Sequence, residues 1–160
     1  MTDEWAREYP SLDSDVMATV DALLQAAKLL EKNRLAPFAA RFGLQKGEFD
    51  VIATLRRSGE PYELTPTDLY EGLLMTSSAI TSRLDRLERT GLVERRPDRS
   101  DRRGIRVRLT PKGLQLVNEM VPLHVANEQE ALANLDKTER SELERLLGKV
   151  IQGCSAEGGE

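Results

Sequence analysis

The sequence predicts a mainly α-helical fold that carries one small β-hairpin. Over most of the 160 residues, apolar side chains recur at three- and four-residue steps, which is the spacing of helices with one buried face. This spacing gives way in the segments VERRP and GIRVRLT, which are joined by the polar stretch DRSDRR. Alternating residues around a polar loop indicate two paired strands. The chain length suits one compact unit.

Amphipathic helices are predicted at both ends of the chain. The first begins near Ser14, and its apolar stripe consists of Val16, Val20, Leu23, Leu24, Ala27 and Leu30. Asp136 is placed to cap the last helix, whose stripe consists of Leu143, Leu146, Leu147, Val150 and Ile151. The two stripes exceed what one small domain can bury, so we expect a homodimer. The alternative is that these helices only close the core of their own chain.

Residues that typically start or end a helix predict the bounds of the central helices. A helix around Phe49 is predicted to stop near Ser58. A threonine followed by a proline marks the start of a short helix after Thr65 and of a long helix after Thr110. We expect Pro122 to bend the long helix. Between them, TSSAITSRLDRLERTGL opens with hydroxyl residues and closes at a glycine, which predicts one more helix.

Two helices joined by a short turn and followed by a hairpin form a winged helix-turn-helix. We therefore predict a mainly α fold with a small β-hairpin wing, flanked by N- and C-terminal dimerisation helices. The expected regions are 1–44 for an N-terminal extension and dimerisation helix, 45–112 for the winged helix-turn-helix, and 113–160 for the C-terminal dimerisation helices. All three belong to one compact chain.

Charge is unevenly distributed along the sequence. Residues 83–112 carry 11 Lys or Arg against 5 Asp or Glu, whereas the other 130 residues carry 12 against 22. A chain of net charge −4 thus contains a segment of net charge +6. Such a segment can bind a polyanion, and we expect double-stranded DNA as the partner.

The helix before the hairpin is the candidate DNA-reading helix. Steps of about 100° per residue place Ile80, Leu84 and Leu87 on one side and small polar residues on the other. A helix with a small polar face fits the major groove. The candidate DNA contacts on this helix are Ser77, Ser78, Thr81, Ser82 and Arg86.

The hairpin is rich in arginine. Seven arginines lie within 14 positions, with Asp98 and Asp101 between them. An arginine-rich loop can enter a narrow minor groove. We expect Arg99, Arg102 and Arg103 to contact DNA there, while the two aspartates brace the loop by pairing with neighbouring arginines. Either pattern alone is common on a solvated surface, but helix, wing and charge together favour DNA binding.

These segments also resemble a known family. ITSRLDRLERTGLVERRPDRSDRRGIRVRLTPKG is similar to the recognition helix and wing of MarR-family transcriptional regulators, and the likeness covers nearly the whole chain. The resemblance implies a homodimeric repressor that binds a pseudo-palindromic operator and is released by a small anionic ligand. EWAREYPSLD, FDVIATLRRSGEPY and HVANE further resemble the urate-responsive, PecS-like branch, which implies urate or a similar effector.

The resemblance to this branch implies four urate-binding residues: Trp5, Asp50, Arg83 and Arg95. Two guanidiniums suit a flat anionic purine, and an indole can stack on it. Because Asp50 repels an anion, we expect it to pair with an arginine until the ligand displaces it, which moves the recognition helix. The alternative is that Asp50 and Arg83 form a pair that only stabilises the fold, while Trp5 packs the terminus.

Other functional classes receive less support. His124, the one histidine, lies beside the predicted dimer interface, where it is a candidate pH sensor or simply a polar interface residue. Cys154 is the one cysteine, which argues against a cysteine metal site and is badly placed for peroxide sensing. Without a nucleophile motif or phosphate loop, we expect no enzyme, cofactor or metal. Without an apolar run or signal sequence, we expect a cytoplasmic protein that has no membrane partner.

Three alternatives stay open within this prediction. The chain is also compatible with a MarR-type regulator that responds to a different phenolic ligand, with one that responds to pH, and with a winged helix that serves as a protein-interaction adaptor. Binding to a specific operator distinguishes a regulator from an adaptor, because it weakens steeply with salt and outcompetes random duplex.

Overall fold

The computed structural model describes residues 7–9, 14–98 and 104–156. In chain order these contain helices α1 (Ser14–Leu30), α2 (Ala36–Arg41) and α3 (Glu48–Arg57), strand β1 (Glu63–Leu64), helices α4 (Pro66–Gly72) and α5 (Ser77–Arg89), strands β2 (Val93–Pro97) and β3 (Ile105–Leu109), and helices α6 (Pro111–Ala131) and α7 (Lys137–Ala156). The predicted mainly α fold with a small wing is confirmed. α4, α5 and the β2–β3 hairpin form its winged helix-turn-helix.

The hydrophobic core lies within the winged region. Helices α3, α4, α5 and α6 and strand β3 each contribute side chains to it. Its most deeply buried members include Val51, Ile52, Leu55, Leu69, Ile80, Leu84, Leu87, Val107, Val117 and Met120. The predicted inward stripe of α5 is among them, so the opposite side of α5 is free to face a partner.

The wing belongs to a three-stranded antiparallel sheet in the order β1-β3-β2. Leu64 of β1 lies opposite Val107 of β3, where the sequence predicted only a short extended piece. In β3, Val107 and Leu109 are buried, and by the alternation of a strand Arg106 and Arg108 lie on the other face. Ile105, two residues before Val107 on the same face, is 47% exposed, so this face of the strand is buried only from Val107 onward.

Threonine caps fix the starts of the central helices. The side chains of Thr65, Thr76 and Thr110 each accept a hydrogen bond from the backbone N–H three residues later, at 3.1, 3.2 and 3.0 Å. Asp136 caps α7 by accepting from the backbone N–H groups of Thr138 and Glu139 at 2.7 and 2.9 Å. The helix starts predicted from these residues are confirmed.

One feature of the long helices was not predicted from the sequence. A π-helical turn at Glu31–Leu35 connects α1 to α2, and Asn127 of α6 donates a hydrogen bond to the carbonyl of Arg34 at 3.3 Å. α6 extends as one helix through Pro122 to Ala131.

The terminal helices present apolar side chains to solvent. Val20 and Leu24 of α1 are each 50% exposed, and Leu146 and Val150 of α7 are 46% and 48% exposed. The two stripes predicted from the sequence are therefore not buried within a single chain. Among the helices of residues 14–98 and 104–156, none is both long and apolar enough to cross a membrane.

Candidate functional site: nucleic-acid interface and effector pocket

The N-terminal half of α5 exposes a row of hydroxyl groups. Ser77, Ser78, Thr81 and Ser82 are all exposed, as the helical periodicity predicts. The Thr81 hydroxyl donates to the carbonyl of Ser77 at 2.9 Å, which holds this side chain against the helix. Small polar groups at the positive end of a helix dipole suit phosphates and base edges. We call these four residues the hydroxyl face of α5.

Arg86 does not belong to this exposed face. Its side chain is half-buried, and its Nε lies 2.8 Å from the carboxylate of Glu48 on α3. This N–H is not aimed at the oxygen, so the contact is an ion pair and not a hydrogen bond. Arg86 Nη2 also donates to the carbonyl of Gly43 at 3.3 Å. The guanidinium of Arg86, which the sequence predicted to contact DNA, is engaged on the protein side of the helix.

Arg83 likewise points toward the body of the protein. Its Nε donates to the carbonyl of Lys46 at 3.2 Å, and its Nη1 lies 2.6 Å from the sulfur of Met75. The half-buried position expected for Arg83 is present. The structure does not contain the ion pair expected between Asp50 and an arginine. No Lys or Arg of the described ranges lies within 4.0 Å of the Asp50 carboxylate.

Arg95 connects the wing to α5. Its guanidinium contacts the carboxylates of Asp85 and Glu88, each at 2.6 Å, and its backbone N–H donates to Glu88 at 2.9 Å. Partial burial lowers the pKa of Arg95, but the hydrogen bonds with Asp85 and Glu88 outweigh it and raise the pKa above its ordinary value. A guanidinium held by two carboxylates fixes the wing at a set angle to the helix.

Two further arginines of the wing strands form ion pairs with carboxylates of the wing. Arg106 pairs with Asp98 at 2.8 Å and Arg96 pairs with Glu94 at 2.6 Å. The bracing role predicted for Asp98 is therefore present. Several predicted site residues lie outside the described residues. They are the predicted ligand residue Trp5, the predicted bracing residue Asp101, and the predicted DNA contacts Arg99, Arg102 and Arg103.

Asp50 and His124 line a common pocket of about 470 Å³ between α3 and α6, together with Arg57. The imidazole packs on the ring of Phe49, with centroids 4.4 Å apart, and its Nε2 lies 3.1 Å from Glu128. Its Nδ1 is buried and has no hydrogen-bond partner among the described atoms.

Asp50 carries an unfavourable charge in this pocket. Although the residue as a whole is exposed, partial burial of its carboxyl raises its pKa, and Glu31 and Glu128 raise it further against the opposing effects of His124 and Arg83. A carboxyl whose charge is disfavoured tolerates a nearby anion better than an ordinary aspartate does.

Of the three predicted ligand residues that the structure describes, it brings two together. Asp50 and Arg83 are close enough to interact electrostatically. Arg95 is bound to Asp85 and Glu88, which lie about 160° and 140° around α5 from Arg83. Arg95 is therefore on the opposite flank of the helix, so one small ligand does not contact Arg83 and Arg95 together in this conformation.

Glu48 was not predicted from the sequence as a functional residue. This residue is only 2% exposed, and its second carboxylate oxygen accepts the backbone N–H of Gln45 at 2.7 Å. A signal was available, since Glu48 precedes Ile52 by four residues and so lies on the buried stripe of α3. A charged residue at such a position indicates a buried partner.

Comparison with known proteins agrees with this geometry. Residues 42–104 match a family model described as MarR family. The HTH-type transcriptional regulator PecS of Dickeya dadantii (strain 3937) is 37% identical over 147 residues, covering 92% of this chain and 88% of that protein.

Solved structures share the architecture. The MarR-family regulator Sco3205 of Streptomyces coelicolor, in complex with DNA, matches with a TM-score of 0.81 at 26% identity and covers 89% of each chain. A mutant MarR from Escherichia coli complexed with operator DNA matches with a TM-score of 0.74 at 27% identity, covering 88% of this chain and 98% of that one.

These relatives are transcriptional regulators and not enzymes. No cluster of His, Cys, Asp and Glu suited to a metal ion occurs in the part of the chain that the structure describes. The chain forms a winged helix-turn-helix with an exposed hydroxyl face on α5, and it is similar to PecS along nearly the whole sequence. We conclude that this chain belongs to the MarR family of DNA-binding transcriptional regulators.

Proposed function

We propose that this chain is a repressor whose homodimer binds a pseudo-palindromic operator and is released by urate or a similar small anionic ligand. The observation that carries the proposal is the hydroxyl face of α5, which lies exposed beside an arginine-rich wing. In a dimer, two such faces enter successive major grooves of a symmetric site. The DNA-bound MarR relatives support this reading of the surface.

We place the effector in the pocket between α3 and α6. Arg56 and Arg57 line this pocket and supply positive charge for a flat anion, and His124 lies beside them. Asp50, with its raised pKa, takes a proton or turns away at lower energetic cost than an ordinary carboxylate. Of the ligand residues implied by the family resemblance, Asp50 belongs to this pocket, whereas Arg95 has a structural role.

A gel-shift titration on the DNA upstream of the chain's own gene tests the repressor. We expect specific binding that outcompetes random duplex and weakens steeply between about 50 and 200 mM salt. Equal affinity for operator and random DNA would mean that the winged helix serves as an adaptor.

Urate is then added to the preformed complex. We expect release for the wild type and for Arg145→Gln, an exposed arginine that pairs only with Glu142 among the described residues. Arg57→Gln should respond to urate much less while retaining operator affinity. If urate has no effect but salicylate or a pH step between about 5 and 8 releases the DNA, the effector is a different phenolic ligand or the proton.

A further inference from the structure

Two arginines one turn apart on α5 hold the segment that joins α2 to α3. We call residues 43–48 the joining segment. Arg86 donates to the carbonyl of Gly43 at its start, and Arg83 donates to the carbonyl of Lys46 near its end. Arg83 lies on the side of the recognition helix away from the hydroxyl face, and Arg86 lies at the border of that face, about 40° from Ser82. Each guanidinium therefore fastens the helix to the same short piece of backbone.

Gly47 allows the close approach of Arg83. Its φ is 75°, in the left-handed region that glycine adopts easily. A Cβ at this position would lie 2.6 Å from Nε and 2.7 Å from Nη2 of Arg83. The guanidinium thus lies directly on the glycine backbone, and a side chain at this position would displace it.

Glu48 makes the second contact energetically important. Its carboxylate is buried, lies 2.8 Å from Arg86 Nε and accepts the N–H of Gln45. Removing one partner of a buried ion pair leaves the other charge without compensation, which is strongly unfavourable. The helix therefore cannot rotate away from α3 without exposing or stranding this charge.

We propose that Arg83, Arg86 and Glu48 are positioning residues that fix the angle of the recognition helix, and that neither arginine contacts DNA. Successive residues of a helix are fixed at about 100° to one another. A rotation of α5 about its axis therefore moves the hydroxyl face and the two arginines together. Loss of the contacts to the joining segment consequently misaligns Ser78 and Ser82 with the base edges. Specific binding suffers, whereas attraction to phosphates does not depend on that alignment.

Glu48→Gln is the decisive variant. Glu48 is buried, so it cannot touch DNA, and removing its negative charge strengthens attraction to DNA if only long-range electrostatics matter. The proposal predicts the opposite result: operator affinity falls about tenfold or more, while affinity for random duplex changes less than about twofold. Operator affinity equal to or above that of the wild type would overturn the proposal.

Arg86→Gln and Arg83→Gln complete the test, with Arg145→Gln as the control. For both α5 variants we expect weaker operator binding with an unchanged slope of log affinity against log salt. Loss of a direct phosphate contact instead lowers the slope by about one, and that outcome at either position would contradict the positioning role. Arg86→Lys should restore part of the affinity. Circular dichroism at the assay temperature selects folded variants, and Arg83→Gln, which leaves the buried pair intact, supplies the measurement if the other variants unfold.

Discussion

Leu74 is an isolated point of backbone strain at the turn between α4 and α5. Its φ is 50°, and its side chain is 93% exposed. A left-handed backbone costs a residue with a Cβ about 1–2 kcal/mol, whereas glycine adopts it freely. Because the side chain packs on little, we expect Leu74→Gly to raise the free energy of unfolding by about 0.5–1 kcal/mol.

Urea unfolding followed by circular dichroism measures this change. Leu74→Ala is the matched control, since it removes the exposed side chain but keeps the Cβ, and we expect it to gain nothing. Equal stability of the glycine and alanine variants would show that backbone strain at this turn does not limit the stability of the fold.

Single residues of α5 show how far periodicity predicts a site. It placed Ser78 and Ser82 outward and Ile80 inward correctly, because the backbone alone sets the direction of a short side chain. It could not place the guanidinium of Arg86, since a long side chain on the border of a helix face can extend to either side. The buried carboxylate of Glu48, on another helix, decides the direction.

At the scale of elements, the capping box of α4 gives a prediction with a pH dependence. Thr65 accepts the N–H of Asp68 at 3.1 Å, and its hydroxyl donates to the Asp68 carboxylate at 2.7 Å. We expect Thr65→Val to lower the free energy of unfolding by about 1 kcal/mol at neutral pH. Thr81→Val, which removes a hydroxyl from within a helix, should cost less.

The sign of the pH effect follows from Asp68. The side-chain hydrogen bond from Thr65 is the main cause that lowers the pKa of Asp68 below 3.8. The contribution of this hydrogen bond to the free energy of unfolding is therefore complete above the pKa of Asp68 in the unfolded chain. It is lost as the pH falls through the lowered pKa of Asp68 in the folded protein. The difference between wild type and Thr65→Val, measured by urea unfolding, should shrink in that acid range. A difference that stays constant there would show that the carboxylate takes no part in the box.

Helix starts were predictable because caps are local, whereas two other elements were not. The π-helical turn at Glu31–Leu35 depends on α6, where Asn127 binds the carbonyl of Arg34 and Glu130 pairs with its guanidinium at 3.0 Å. The pairing of Leu64 with Val107 likewise joins distant parts of the chain. Contacts of this kind leave no periodic signal in the sequence.

In the part of the molecule that the structure describes, the terminal helices keep exposed apolar stripes, as the sequence predicted from stripe area alone. MarR-family proteins are dimeric, and we expect α1 and α7 to form the interface because their exposed stripes include Val20, Leu24, Leu146 and Val150. The four-residue ligand site was less predictable at this scale, since it needed the relative placement of α3, α5 and the wing. Arg95 is on the far flank of α5 because Asp85 and Glu88 hold it there.

Breaking that interface should separate dimerisation from folding. Leu146→Asp places a charge in the middle of the α7 stripe, whereas Ser141→Asp places the same charge on the opposite side of the helix. We expect the first variant to sediment as a monomer with the helical content of the wild type, because the core of the winged region lies elsewhere. Each monomer then holds a single half-site without the gain from a linked second contact, so operator affinity should fall about 100-fold or more. Ser141→Asp should remain a dimer that binds DNA normally. A dimeric Leu146→Asp variant with full operator affinity would place the interface on another surface.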